Sequence, residues 1–353
     1  MKKRNAASMA LVLALTLVLG VLGTGCGATT QEKREVNVYN WGEYIDTDVL
    51  TQFEKETGIK VNYKTYPTNE ALYSSLKSGG VSYDVIIPSD YMISRMIQED
   101  MLDKIDFKNV PNADKVDEVY RNPEYDPTGE YSVPYMWGTV GIIYDTKVVT
   151  EPVTSWSILF NEKYSGKILM FDNSRDAIGI ALKYLGYSYN TTDKDQIKEA
   201  VDLLVQQKPL VQAYVMDQIF EKLTGGEAAI GPYYAGDAVT MMEENPDLAF
   251  CLPSEGSNIF VDAMCIPKGA ANKEEAEEFI NFMCRGDISA ANCQVTGYST
   301  PIGEAYDLLP EDMRDNTVMY PDKETLAKCE TYTNLPQDIL DFYDEEWVRL
   351  MTD

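Results

Sequence analysis

Residues 36–66 read VNVYNWGEYIDTDVLTQFEKETGIKVNYKTY, and this stretch decides the fold class. Its apolar start, residues 36–41, predicts a strand, and the period-two alternation of residues 59–66 predicts a second strand. Between the two strands Asp46 or Thr47 can cap a helix, which Gly58 can end. The order of these elements predicts a β-α-β unit.

The alternation of strands and helices continues along the chain. Residues 69–78 predict a helix, residues 83–87 (YDVII) predict a buried strand, and Ser89 or Asp90 can cap a further helix. This order implies a parallel sheet with helices on both faces. Ligands of such sheets bind beyond the C-terminal ends of the strands, which here carry residues 40–44 (NWGEY) and 89–91 (SDY).

A second α/β block begins near Tyr135. Its predicted strands are residues 167–171 and 228–230, and its predicted helices are residues 177–185 and 194–207. Its predicted loops carry acidic residues at 172–176 (DNSRD) and both aromatic and acidic residues at 233–237 (YYAGD). Residues 260–262 (FVD) place an aromatic and an acid at a further loop tip, and an amphipathic helix is predicted at 273–285. Two such blocks indicate two domains.

Residues 1–35 predict export and a lipid anchor. Lys2, Lys3 and Arg4 precede an uncharged apolar run at 10–22, the pattern of a bacterial secretory signal, and the run is shorter than the roughly 20 residues of a membrane-spanning helix. The sequence Gly23-Thr24-Gly25-Cys26 resembles a bacterial lipobox with glycine in place of the usual leucine. We therefore expect a signal peptide over residues 1–25, lipidation of Cys26 and a tether over residues 26–35. Ordinary signal cleavage and a retained anchor helix are the alternatives.

Composition narrows the classes of function. The net charge of −27 attracts cations and repels nucleic acid and anionic lipid. Histidine is absent, which removes the commonest general base and transition-metal ligand, and the cysteines after residue 26 show no C-x-x-C spacing. No phosphate-binding loop, dinucleotide fingerprint or nucleophile elbow is present. We expect no metal, no cofactor and no enzymatic activity.

Tyrosines outnumber phenylalanines, 24 to 10, and several stand beside carboxylates at predicted loop tips. Aromatic faces attract cations, and carboxylates form charge-assisted hydrogen bonds with ammonium groups. Rings also cover methylenes, so a box of rings with acids at both ends would suit a linear diamine. A surface tyrosine beside an acid is an ordinary pair, so the pattern alone does not decide the ligand. The groups are Trp41, Glu43 and Tyr44; Tyr234 and Asp237; Phe260 and Asp262; and the separate Asp176 and Tyr298.

Seven segments carry a resemblance to the spermidine/putrescine-binding proteins of bacterial ABC transporters. They are YNWGEY at 39–44, FEKETGIKVNY at 53–63, YDVIIPSDY at 83–91, YSVPYMWGTVGIIYD at 131–145, TSWSILFNEKYSGKI at 154–168, YLGYSYNTTD at 184–193 and GYSTP at 297–301. The resemblance implies an α/β fold of the periplasmic-binding-protein class II, in which two lobes enclose a ligand cleft. Lobe 1 would comprise residues 36–134 and 268–320, lobe 2 residues 135–267 and 321–353, with crossings near 134–141 and 262–268.

The resemblance also implies ligand-binding positions, carried over residue by residue. Gly42 replaces a hydroxyl residue that is frequent there, Asn173 stands where spermidine binders often have an acid, and Tyr234 stands where tryptophan is usual. The final contact, near residues 332–334, cannot be aligned. The implied ligand-binding residues are Trp41, Glu43, Tyr44, Ser89, Tyr91, Asp176, Tyr234, Asp237, Phe260, Asp262 and Tyr298.

The function implied is extracytoplasmic capture of putrescine, spermidine or both for delivery to the permease of an ABC transporter, by a monomer. Three alternatives remain on the same fold, namely binding proteins for ferric ion, for an amino acid and for a sugar. Tyr233-Tyr234 resembles the adjacent tyrosines of ferric-ion binders, and Arg175 is the main basic candidate for an amino acid's carboxylate. A glycosidase that uses Glu43 with Asp176 or Asp262 is the enzymatic alternative.

Overall fold

The computed structural model describes residues 34–80 and 82–352, and the chain from Arg34 onward forms one compact unit. The predicted signal peptide, Cys26 and the tether as far as residue 33 lie outside the described residues. Within the described part of the chain, no helix is both long enough and apolar enough to cross a membrane.

The first β-α-β-α-β segment forms as the sequence predicts. Strand β1 pairs in parallel with β2 on one side, Val36 opposite Val61, and with β3 on the other, Val38 opposite Val85. The elements are β1 (Glu35–Trp41), α1 (Thr47–Thr57), β2 (Lys60–Tyr66), α2 (Asn69–Ser78), β3 (Val85–Ile86) and α3 (Asp90–Gln98).

Local signals set the ends of α1. The carboxylate of Asp46 accepts a hydrogen bond from the backbone N–H of Asp48, and Gly58 ends the helix in the left-handed conformation with a φ of 72°. The apolar face of α1 is anchored by the fully buried Phe53, which packs edge-on against two phenylalanines of a later helix, Phe279 and Phe282.

The sheet continues across the molecule in the order β2-β1-β3-β10-β5-β8-β6-β7, with β4 on β10 and β9 on β5. Its second end is again parallel, β6 with β7 and β8. Its middle is antiparallel, because β5 pairs with β10, β8 and β9 in that sense. These strands are β4 (Leu102–Asp103), β5 (Ser132–Asp145), β6 (Ile168–Phe171), β7 (Val211–Val215), β8 (Ile230–Tyr234), β9 (Leu248–Cys251) and β10 (Ile259–Pro267).

Strand β5 joins the two ends of the sheet. Residues 132–139 pair with β10, and residues 140–145 pair with β8 and β9. Its burial from Ser132 to Ile143 follows from having neighbours along its whole length. The predicted crossing at 134–141 lies within β5 and that at 262–268 overlaps the end of β10; the lobe boundaries themselves stay a prediction.

Ten further α-helices lie within residues 82–352. They are α4 (Ser174–Tyr184), α5 (Lys194–Gln207), α6 (Ile219–Thr224), α7 (Ala235–Glu244), α8 (Lys273–Met283), α9 (Gly286–Thr296), α10 (Gly303–Leu308), α11 (Glu311–Arg314), α12 (Lys323–Leu326) and α13 (Gln337–Thr352).

Three sequence-based assignments in the second block were wrong in detail. The strand predicted at 228–230 is β8, which begins at Ile230 and runs to Tyr234. Helix α4 starts at Ser174, earlier than predicted, because the side chain of Asn173 caps it. Residues 260–262 are not a loop but part of β10, since pairing with β5 overrides the interruption that the polar Asp262 makes in an apolar run.

Candidate ligand-binding site

A cleft lies where the C-terminal ends of β1, β6 and β8 meet the start of α3 and the middle of β10. It contains about 710 Å³ of empty space, part of it open to solvent. This is the position at which parallel strands and helix N-termini present side chains to ligands in α/β proteins.

All but one of the predicted binding residues line this cleft. The exception is Glu43, which is exposed and adopts a φ of 44°, an uncommon left-handed conformation for a glutamate. The turn directs Tyr44 into the buried interior, while Glu43 remains outside the lining, so its role as a contact stays a prediction. The lining residues are Trp41, Tyr44, Ser89, Tyr91, Asp176, Tyr234, Asp237, Phe260, Asp262 and Tyr298.

Three tyrosine–aspartate pairs dominate the polar chemistry of the cleft. The hydroxyl of Tyr44 donates to Asp262 Oδ2 at 2.8 Å. The hydroxyl of Tyr234 donates to Asp176 Oδ2 at 2.7 Å, and that of Tyr298 donates to Asp237 Oδ2 at 2.9 Å. A carboxylate has about four acceptor positions, so each aspartate keeps capacity for a donor supplied by a ligand.

Asp262 is the least satisfied of the three acids. Its residue is 4% exposed, and its Oδ1 atom is buried without a hydrogen-bond partner among the described residues. Burial raises the pKa of Asp262 to about 7, although the hydroxyl groups of Ser89 and Tyr44 oppose the shift. Buried polar atoms are nearly always paired, so this atom marks a place for a donor from a ligand.

The other two acids share this electrostatic character. Burial holds the pKa of Asp237 well above its usual range, and the fields of Asp217 and Glu43 add to the shift. Burial also raises the pKa of Asp176, against hydrogen bonds from Tyr234, Asn173 and Tyr332. A ligand with positive charges would favour the ionised form of both acids.

Aromatic rings form the walls between these acids. The Trp41 Nε1–H donates to the Ile87 carbonyl at 2.8 Å, which fixes the indole at the end of β1. Tyr44 meets Tyr298 edge-on with ring centroids 4.5 Å apart, and Phe260 meets Tyr234 at 5.6 Å. Such fixed rings can cover methylene groups and present their faces to cations.

Arg175 is the only basic residue in the described lining of the cleft. It is 4% exposed, and its guanidinium lies over the rings of Tyr332, Tyr91 and Tyr343 at 4.6, 5.3 and 5.4 Å. Two of its nitrogens, Nε and Nη1, are buried without a hydrogen-bond partner among the described residues. The guanidinium therefore packs among three rings, and Arg175 also contributes to the cleft lining.

Sequence reasoning missed several lining residues. After β2, Asn69 Nδ2 donates to Ser89 Oγ and to the hydroxyl of Tyr91 at 3.1 Å each, and that hydroxyl donates to Glu70 Oε1 at 2.9 Å. The rule of strand ends could have found Asn69 and Glu70, which follow a predicted strand. Tyr332 could not be aligned, and its hydroxyl donates to Asp176 Oδ1 at 3.1 Å.

Comparison with known proteins gives one family for the chain. The model of the bacterial extracellular solute-binding proteins matches residues 48–322. The chain belongs to this family of bacterial extracellular solute-binding proteins. The family agrees with the predicted export and with a cleft that binds a small solute.

Relatives of this solute-binding protein cover nearly its whole length. The spermidine/putrescine-binding periplasmic protein of Salmonella typhimurium is 35% identical over 337 residues, 95% of this chain and 97% of its own. A solved structure from Listeria monocytogenes is 38% identical, with a TM-score of 0.87, and the match covers 90% of this chain and 99% of that one. A lipoprotein of Treponema pallidum is 28% identical, with a TM-score of 0.80 and coverage of 90% and 99%. The two-lobed class II fold is thereby confirmed.

The carboxylates of this solute-binding protein are not clustered as metal ligands in the described part of the chain. Within residues 34–80 and 82–352, no three His, Cys, Asp or Glu side chains are grouped so that they could hold one. The acids of the cleft are instead each bonded to a tyrosine hydroxyl.

Proposed function

We propose that this solute-binding protein captures linear polyamines, putrescine or spermidine or both, outside the cell and delivers them to the permease of an ABC transporter. The observation that carries the proposal is the unpartnered, buried Oδ1 of Asp262 in a cleft where two further buried aspartates each accept from a tyrosine. The spermidine/putrescine-binding relative from Salmonella supports the same ligand class.

The acids and the rings of the cleft bind different parts of the ligand. Asp262, Asp176 and Asp237 bind the ammonium groups through charge-assisted hydrogen bonds, while their tyrosines hold the carboxylates in place. Trp41 and Phe260 cover the methylenes between the ammonium groups, as rings do when they bury apolar surface. The protein binds and releases the ligand unchanged, and catalyses no reaction.

The selectivity of the cleft between two polyamines depends on how many acids it offers. Asn173, at the start of α4, supplies an amide where a further acid would hold a third ammonium. Asp237 and its tyrosine supply an acid at the end of β8. This arrangement suits two ammonium groups, so putrescine binds at least as well as spermidine.

The proposal extends to location and assembly. Lipid on Cys26 holds the mature protein at the outer face of the membrane, and the lipoprotein relative from Treponema pallidum supports this anchor. One acyl chain binds membranes only marginally, so firm anchoring requires at least two. The proposed assembly is a monomer.

Calorimetric titration with putrescine, cadaverine, spermidine and spermine tests the ligand class, with an amino acid and a sugar as comparison ligands. We expect saturable 1:1 binding of the polyamines and none of the sugar. Tighter binding of an amino acid than of any polyamine would contradict the proposal. The carboxylate of an amino acid needs a cation, and among the described residues of the lining Arg175 alone is basic.

A further inference from the structure

A neighbouring carboxylate, and not the backbone of Gly42, limits the side chain that position 42 can carry. A Cβ atom at this position would lie within 2.5 Å of Asp217 Oδ2, far closer than real Cβ atoms approach another heavy atom. Gly42 is not among the glycines with a positive φ, so its backbone would accept any L-residue. The space that a side chain would need at residue 42 is held by Asp217.

Asp217 reaches Gly42 from the other end of the sheet. It follows β7, the last strand in the sheet order, whereas Gly42 follows β1, the second. Both residues line the same cleft, which they reach from opposite parts of the sheet. Asp217 is exposed, as a residue at the mouth would be.

The carboxylate of Asp217 has free acceptor capacity. Its Oδ1 accepts from the Tyr233 hydroxyl at 3.3 Å, and none of the ion pairs among the described residues involves it. It stands close enough to Asp237 to raise the pKa of that acid, and the partial burial of its own carboxylate raises its own pKa. Two acids of the cleft lining, neither of them in an ion pair among the described residues, therefore lie near each other.

We propose that Asp217 is a further ligand-binding residue, which joins Asp237 in holding one terminal ammonium group, and that Gly42 is the residue that makes room for it. This inference rests on the proposed function. Asp217 supplies a charged acceptor, and a charged acceptor binds an ammonium more strongly than a neutral one.

The first test is the substitution Asp217→Asn, titrated calorimetrically with putrescine. Because Asp217 is exposed at the rim, we expect affinity to fall by about three- to tenfold, less than for a fully buried charge. The control is Asp307→Asn, which removes an exposed charge from α10 outside the cleft lining and should leave affinity unchanged. If the affinity of Asp217→Asn for putrescine is less than about twofold below that of the wild type, the inference is overturned. Even a weak charge contact contributes more than that change.

The second test is a double-mutant cycle between the two positions. Gly42→Ala should weaken putrescine binding in the wild-type background, because the methyl group displaces the carboxylate of Asp217. In an Asp217→Ala background the same substitution should cost no further affinity, which gives a coupling between the two sites. Thermal unfolding of all four proteins checks that they fold. Additive losses overturn the inference, whereas a folded wild type that binds no polyamine overturns the proposed function instead.

Discussion

At the scale of single residues, binding depends on carboxylates that are buried before the ligand arrives. Burial has removed the Asp262 carboxylate from water. It accepts one hydrogen bond from a tyrosine hydroxyl, and its other oxygen has no partner among the described residues. An unpaired buried acceptor costs about 1–3 kcal/mol, and more when it is charged. A bound ammonium recovers that free energy, which makes Asp262 the residue with the largest difference between the empty and the occupied cleft.

Asp262→Asn should therefore weaken putrescine binding by at least about a hundredfold, since removing one partner of a buried charge pair costs about 3–5 kcal/mol. The amide keeps the shape of the side chain and avoids a buried charge, so the thermal midpoint should stay equal or rise. Calorimetric titration and thermal unfolding measure the two effects, with Asp307→Asn as the matched control. A loss below threefold would place Asp262 outside the site.

The pH dependence of binding follows from the same residue. Burial raises the pKa of Asp262 from 3.8 to about 7 in the empty cleft, so folding favours its neutral form. Its contribution to stability is present below 3.8 and is lost as the pH rises through about 7. A bound cation favours the ionised form, so binding releases a proton below about pH 7, and affinity falls there by up to about tenfold per pH unit.

Calorimetry in two buffers with different protonation enthalpies measures this proton release. At about pH 6 the amines of the ligand remain charged, since alkylammonium groups titrate near 10. The proton count should fall in Asp262→Asn, where this group is absent. Binding that takes up or releases no proton at that pH would show that Asp262 is already ionised in the empty cleft.

The sequence predicted most of these residues, but not all of them. Resemblance to known segments placed Trp41, Tyr44 and Asp262 in the cleft, where they are. The resemblance could not identify Asp217, because the sequence that follows a strand does not show which distant part of the chain lies beside it. It also placed Glu43 in the site, and the left-handed turn at that residue leaves it outside the lining.

At the scale of elements, the start of α4 positions one end of the cleft. The Asn173 side chain caps the helix by accepting from the Asp176 backbone N–H at 2.8 Å, and its amide donates to the Asp176 carboxylate at 2.8 Å. One side chain thus orders the helix and orients a binding acid. Helix ends prefer asparagine and aspartate about equally at this position, so the cap would tolerate a charge.

Asn173→Asp should shift selectivity towards spermidine. The new carboxylate can still cap the helix, but it cannot donate to Asp176 as the amide does. The two carboxylates repel each other instead, and a third ammonium group would relieve that repulsion. The ratio of spermidine to putrescine affinity should rise by about tenfold, the change that corresponds to about 1.4 kcal/mol. Titration of wild type and variant with both ligands measures it. Equal changes for the two polyamines would mean that the length of the cleft sets selectivity instead.

Elements were predicted best where local signals were strong. Helices α2 and α5 have the predicted bounds, because capping residues and periodic apolar positions mark them. The antiparallel middle of the sheet was not predicted, since the pairing of β5 with β10 joins residues that are far apart in the chain. Distant pairing of this kind leaves no periodic pattern in either strand.

At the scale of the whole molecule, the fold brings distant segments to one cleft. Residues 41–44, 173–176, 233–237 and 260–262 meet because β1, β6 and β8 end on the same side, while β10 passes between them. The net charge of −27 surrounds this cleft with a field that attracts cations and raises their rate of encounter.

Anchoring is a property of the whole molecule that one residue controls. Cys26→Ala should release the mature protein from the membrane into the surrounding medium or periplasm, because the acyl chains are then absent. Fractionation of cells that express the wild type or the variant, followed by detection of the protein, measures its distribution. A wild type that is fully soluble and carries no lipid would contradict the anchor. Binding of putrescine should be the same in both forms.

The central claim is that the cleft recognises two ammonium groups joined by methylenes. Calorimetric titration with putrescine, 1-aminobutane and 1,4-butanediol tests this claim most directly, because the three share a four-carbon chain and differ in charge. We expect putrescine to bind, the monoamine to bind at least about a hundredfold more weakly, and the diol to show no saturable binding, since each lost charge leaves a buried acid unpaired. A diol that binds within about tenfold of putrescine would contradict the account, because the acids of the cleft would then contribute little to recognition.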